Sequence, residues 1–269
     1  MSSTTTVGGP ALQASGLTVS YRSRRRGQRP ALDGCGFEVP AGSICAVVGV
    51  SGAGKSTLLE TAAGLRRPSA GSLSVLGLPP GAARSRVAYL AQDRPLPSKL
   101  SVKSVLRMGA ELNPGCWDAA FAAGIVEQGG LDRRARVDEL SGGQLTRLAF
   151  ALALGKRPEL LLLDEPMADL DLVARHQLMG VLLAHCVEYG ATALLSSHLV
   201  SELADSCDRL LLLKEGRVVL AGGIEELLAT RLAMTGVGAP DELSLEELVL
   251  AHLGGFPAPA PASALKGAA

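Results

Sequence analysis

Apolar positions along this chain repeat with two different periods, and the switches between them mark its elements. Runs at 12–21, 31–39, 44–48, 71–77, 86–90, 160–164, 191–196, 209–214 and 218–221 are short and bounded by glycine, proline or charge, as β-strands are. Leu160-Leu161-Leu162-Leu163 has no polar face, which marks a strand buried on both sides. Glu215-Gly216 joins the last two runs as a hairpin. Helical spacing takes over from Lys55 to about Gly64 and again from residue 101, where Val102, Val105 and Leu106 share a face. Asn113-Pro114-Gly115 interrupts that second stretch, and 117–126 resumes it. Further helices are expected at 145–154, 172–189, 200–204, 224–229 and 246–252. Strands alternating with helices predict an α/β sheet covered on both faces, with a helical lobe at about 93–155 inserted between two of its strands. No internal repeat is visible. Residues 1–10 read as a disordered polar leader, 11–230 as the folded domain, and 231–269 as a short extension ending in a Pro/Ala-rich tail.

Composition narrows the class. The 269 residues are 47% hydrophobic but only 3% aromatic, so leucine, valine and alanine must fill the core. Lysine plus arginine and aspartate plus glutamate each number 26, a balance that leaves no footprint for nucleic acid. Five cysteines, at 35, 45, 116, 186 and 207, form no C-x-x-C pair, which fits reduced, inert thiols and no metal site. No apolar run approaches the ~18–20 residues that span a bilayer, and the start lacks the basic and apolar regions of a secretion signal. A cytoplasmic chain is expected, with any membrane segment supplied by a partner. Arg22, Arg24, Arg25, Arg26 and Arg29 cluster between the first two strands, either as a solvated hairpin tip or as a contact for phosphate or a membrane surface.

The strand at 44–48 runs into Gly49-Val50-Ser51-Gly52-Ala53-Gly54-Lys55-Ser56-Thr57 and then into a helix. Strand, glycine turn and helix in that order are the context that the phosphate-loop pattern G-x-x-x-x-G-K-[ST] requires. The glycines let successive N–H groups converge on an anion, and the helix start adds its positive dipole end. Lys55 can reach β- and γ-phosphates, and the Ser56 hydroxyl can ligate Mg²⁺. The plain alternative is a glycine turn that binds nothing. The four-leucine strand ends in Asp164-Glu165, which a parallel sheet would bring out beside that loop. There Asp164 can hold the cation, and Glu165 can orient or deprotonate an attacking water. Alone, the two acids would equally begin a surface turn. Between these sites stands Leu140-Ser141-Gly142-Gly143-Gln144, where Ser141 is a good N-cap and the helix start offers a second anion site.

That pentad, fifteen residues before the leucine run and downstream of a phosphate loop, makes the chain closely similar to the nucleotide-binding subunits of ATP-binding-cassette (ABC) transporters, from about residue 12 to 229. The resemblance implies a P-loop core with a mainly parallel sheet, an N-terminal antiparallel β subdomain and the inserted helical lobe. It implies ATP and Mg²⁺ as ligands. Gly49, Ser51, Gly52, Ala53, Gly54, Lys55, Ser56 and Thr57 would hold the phosphates, and Tyr21 would stack on adenine unless it is merely a tyrosine at a strand end. Gln92 would sense the γ-phosphate and the cation, Ser56 and Asp164 would share that cation, and His198 would be the switch histidine that contacts the γ-phosphate. Ala168-Asp169-Leu170-Asp171 matches the dimer-contact loop. Ser141, Gly142, Gly143 and Gln144 would close on ATP held by a second chain, a copy or a relative, and a separately encoded integral membrane permease would receive the motion. Departures are Ala168 and Asp169 where Ser-Ala or Ala-Gly is frequent, Leu172 where proline is common, and Leu145 after the pentad. The helical lobe and short extension look most like bacterial ABC-2 type exporters; an uptake ATPase is the alternative. A soluble ABC ATPase is the remaining class, although a single uninterrupted cassette and neutral charge run against it.

Overall fold

The structure, a computed structural model, describes residues 9–21, 30–198, 200, 203–235 and 244–254. The polar leader to residue 8, the arginine cluster, residues 201 and 202 of the expected 200–204 helix and the Pro/Ala tail lie outside them.

Two sheets organise the chain. β1 (Leu12–Val19), β2 (Leu32–Val39) and β4 (Ala70–Val75) form an antiparallel sheet in the order β2-β1-β4. β3 (Ile44–Val48), β5 (Val87–Leu90), β6 (Leu160–Leu163), β7 (Thr192–Ser197), β8 (Arg209–Lys214) and β9 (Arg217–Gly223) form the second, in the order β5-β6-β7-β3-β8-β9. All its pairings are parallel except the β8–β9 hairpin.

Alternation along these parallel strands splits the core in two. Ala46, Val48, Leu161, Leu163 and Leu195 face one cluster, while Cys45, Val47, Leu160, Leu162 and Leu194 face the other. The first cluster is shared with α2 (Val102–Leu112), α3 (Ala119–Gln128), α4 (Gly142–Gly155), α5 (Leu172–Tyr189) and α7 (Leu245–Leu253). The second holds α1 (Lys55–Ala62) against the antiparallel sheet. The four leucines of β6 are fully buried, each worth about 1.5–3 kcal/mol relative to exposure.

Helix boundaries follow local chemistry. Ser101, Asp118, Ser141, Asp171 and Ser244 each cap a helix start through the side chain. α4 therefore begins at Gly142, three residues before the apolar run suggests, because the Ser141 cap offsets the poor helix propensity of two glycines. α6 (Ile224–Thr235) continues beyond residue 229. A turn rather than a helix covers 203–206.

The topology puts the carboxyl ends of β3, β5, β6 and β7 along one edge. Gly49, Gln92, Asp164 and His198 all follow directly from those ends. Behind the loop after β3, the hairpin turn of β8 and β9 comes close: Gly216 N–H donates to Ala53 O at 3.0 Å and Gly216 O accepts from Asp33 N–H at 2.8 Å.

Candidate functional site

The loop between β3 and α1 owes its path to glycine. A Cβ on Gly49 would stand 2.4 Å from Leu213 O, and one on Gly54, at φ 109°, would stand 2.6 Å from Ala31 O. Neither position admits a side chain. Gly54 is the N-cap of α1 and supplies no side-chain cap, so the first N–H groups of this helix remain available to an anion. Ala53 is buried behind the loop. Lys55 is 7% exposed, and its Nζ donates to Gly49 O at 2.8 Å and lies 3.7 Å from Glu165 Oε1. Loop and lysine form the floor of a cavity of about 780 Å³.

Glu165 lines the cavity and Asp164 lies buried behind it. Asp164, 2% exposed, accepts from Ser196 Oγ through Oδ1 at 2.6 Å, and Ser196 Oγ in turn accepts from Glu165 N–H at 2.8 Å. Glu165 has φ 47°, a left-handed backbone that a non-glycine residue adopts at a cost of about 1–3 kcal/mol. The Ser196 bond holds it there. His198 Nδ1 lies 2.8 Å from Glu165 Oε2, so the two carboxylate oxygens face different partners, Lys55 and His198. Such a carboxylate, beside a buried cation and lining the cavity, is arranged to handle a proton next to an anion.

Tyr21 stands two residues past the end of β1, half exposed at the cavity rim. Its hydroxyl is 2.9 Å from Thr57 Oγ1, and the Arg66 guanidinium lies 4.5 Å from its ring centroid. Glu60 pairs with Arg66 and keeps it there. Ser51, Gly52, Gly54, Ser56, Thr57 and Gln92 line the same cavity as Tyr21, Lys55, Glu165 and His198.

Ser141, Gly142, Gly143 and Gln144 do not line it. Ser141 Oγ accepts from Gln144 N–H at 3.3 Å and Gln144 Oε1 accepts from Ser141 N–H at 3.0 Å, a complete capping box with Ser141 and Gly142 exposed. The chain thus presents one assembled pocket and one separate helix start.

Sequence reasoning missed Ser196, which links both acids, and also Ala31, Val50 and Ala168 on the cavity wall. A hydroxyl at the carboxyl end of an apolar parallel strand was the available signal for Ser196.

Residues 32–168 match the family model described as ABC transporter. The chain belongs to the ABC transporter family. Among its ABC relatives, the aliphatic sulfonates import ATP-binding protein SsuB 1 of Burkholderia cenocepacia (strain HI2424) is 42% identical over 207 residues, 76% of this chain. The chain spans 63% of that relative's length. The Nod factor export ATP-binding protein I of Neorhizobium galegae is 35% identical over 247 residues, covering 87% of this chain and 70% of the relative. A solved structure described as the ATP-binding subunit of an ABC transporter superposes with a TM-score of 0.78 at 25% identity, covering 90% of this chain and 99% of the other. The expected α/β P-loop fold with its antiparallel sheet is the fold found. Among the described residues no helix is long and apolar enough to cross a membrane.

Proposed function

We propose that this chain binds and hydrolyses ATP as the motor subunit of a membrane transporter, working as a head-to-tail pair with a copy or a relative. One observation carries the reading: a cavity stands around the uncapped start of α1, while the capped start of α4 lies outside it. A second chain bringing its own Ser141 and Gly142–Gly143 backbone over Lys55 would complete the enclosure.

The residues fit the ligands. The open N–H groups of α1, the Cβ-free turn at Gly49 and Gly54 and a buried Lys55 suit a polyphosphate, and exposed Tyr21 suits a base. Ser56, Asp164 and Gln92 offer only oxygen donors that Mg²⁺ accepts, and so few of them that phosphates and water must complete its shell. When bound, Mg²⁺ would neutralise charge building on the β- and γ-phosphates. Lys55 supplies the fixed counter-charge. Entering phosphates compete with Glu165 for that lysine, which frees the carboxylate to take a proton from water as its oxygen bonds to the γ-phosphorus, the bond to the β–γ bridging oxygen breaks, and ADP leaves with that electron pair. His198 steadies Glu165 through its second oxygen.

The segment after Gln92 and the helices α2–α4 would carry the resulting motion to an integral permease, with the chain peripheral on the cytoplasmic membrane face. Uptake is the direction that the sulfonate-import relatives support, in place of the ABC-2 exporter reading of the sequence. Export keeps one specific support, the match to the Nod factor export protein over the larger share of this chain.

The test of the chemistry is Glu165→Gln. ATP affinity should persist while turnover drops by ~10²–10⁴-fold and an ATP-bound pair accumulates. Turnover near the parent rate refutes the role of Glu165. For direction, deleting the chain in its host should abolish growth on an aliphatic sulfonate as sole sulfur source. Unimpaired growth there moves the reading to export.

A further inference from the structure

Among the described residues, Arg94 is a buried charged side chain close to the glutamine turn that nothing above uses. It follows Gln92 by two residues, adopts φ 44°, and keeps only 4% of its side chain exposed. Its Nη1 donates to Asp169 Oδ2, whereas Nε and Nη2 have no acceptor among the described residues. Two unmet buried donors are a cost that an apolar residue at the same backbone angles would not carry. Stability is therefore a poor reason for an arginine at this place.

Its neighbours suggest a better one. On one side Arg94 lines a groove of about 580 Å³ walled by Leu65, Leu96, Leu112 and Leu152, between β5 and the helices α2 and α4. On the other it grips Asp169, four residues after Glu165. A Cβ placed on Gly142 would lie 3.5 Å from Asp169 Cβ, and one on Gly143 would lie 3.8 Å from Asp169 O. The glutamine turn, the 168–171 loop and the start of α4 therefore form one chain of contacts, with an ion pair between a buried Arg94 and a half-exposed Asp169 in its middle.

We propose that Arg94 and Asp169 are a positioning pair that fixes the 168–171 loop against the start of α4, so that the face closing over a second chain's nucleotide is presented as one piece. The idea rests on the paired-chain reading above. Arg94 acts through Asp169 and touches no nucleotide.

The experiment uses the full chain with Glu165→Gln, so that ATP is retained, alone and with Arg94→Gln, Asp169→Asn or both. ATP affinity is read by calorimetry, ATP-dependent pairing by sedimentation, and stability by thermal melting. Each single change should leave affinity within about twofold and weaken pairing at least about tenfold, and the double should be no weaker than the worse single. Asp169 is half exposed, so Asp169→Asn keeps the test open if Arg94→Gln fails to fold. Asp169→Glu, which keeps the charge, should restore most of the pairing. Undiminished pairing in Asp169→Asn, or losses that simply add, overturns the positioning role. Failure of the Glu165→Gln chain itself to pair with ATP sinks the paired-chain reading and this role with it.

Discussion

The starts of α1 and α4 are both helix N-termini preceded by glycine or serine, yet they are built differently. α1 has no side-chain cap, is approached by a buried lysine and opens into a deep cavity. α4 satisfies its own first N–H groups through Ser141 and Gln144 and stands at the surface. The first is prepared to take a charged ligand unaided. The second is stable in the absence of one, as a surface must be if it meets its ligand only when another chain brings it. Self-capping is what lets α4 wait.

This contrast can be broken most forcefully at Lys55. Lys55→Ala should lower ATP affinity by ~10²-fold or more in a single chain, since the enclosed phosphates lose their fixed counter-charge. Calorimetry that finds the affinity unchanged would remove the distinction between the two helix starts. Ser196→Ala should come next, with turnover down roughly tenfold or more at near-normal affinity, because Asp164 and the Glu165 N–H each lose a partner worth about 1–3 kcal/mol. A drop in affinity instead would mean that Ser196 serves binding and not the placement of Glu165.

Ser141→Ala sharpens the other side. It should cost about 1 kcal/mol of stability and weaken ATP-dependent pairing, while leaving single-chain affinity as it was. The smallest effect concerns neither region. His185, packed between Phe121 and Tyr189, is held below the usual imidazole range by burial. The folded chain keeps it neutral where the unfolded chain protonates it, so its contribution is full above pH 6.5 and declines as pH falls below that value. Melting curves of His185→Leu should therefore show a shallower acid loss than the parent, with ATP affinity unmoved.

Much of this was legible in the sequence because it depends on neighbours in the chain. The leucine run of β6 declared its burial, the glycine spacing before Lys55 declared an anion turn, and Ser141 declared a cap for the helix that follows it. Gln92, Glu165 and His198 follow strands whose ends a parallel sheet must align. What could not be read depends on register across the sheet. Ser196 reaches Asp164 only because β6 and β7 pair with Leu163 beside Leu195. Arg94 and Asp169 are 75 residues apart, and the stacking of Arg66 on Tyr21 needs two sheets in place. Direction of transport is not legible for another reason: it resides in a partner, and the shape of a helical lobe is a weak proxy for it.

Gly216 has a consequence for affinity. Because its N–H ties Ala53 from behind and its carbonyl ties Asp33, the loop that meets phosphate is already folded before any phosphate arrives. Little chain entropy remains to be lost there on association, so tightness at this pocket is governed by how quickly ligand departs and not by how long the backbone takes to arrange itself. A bulkier residue at the hairpin tip would then act at a distance, slackening the grip on a molecule it never meets.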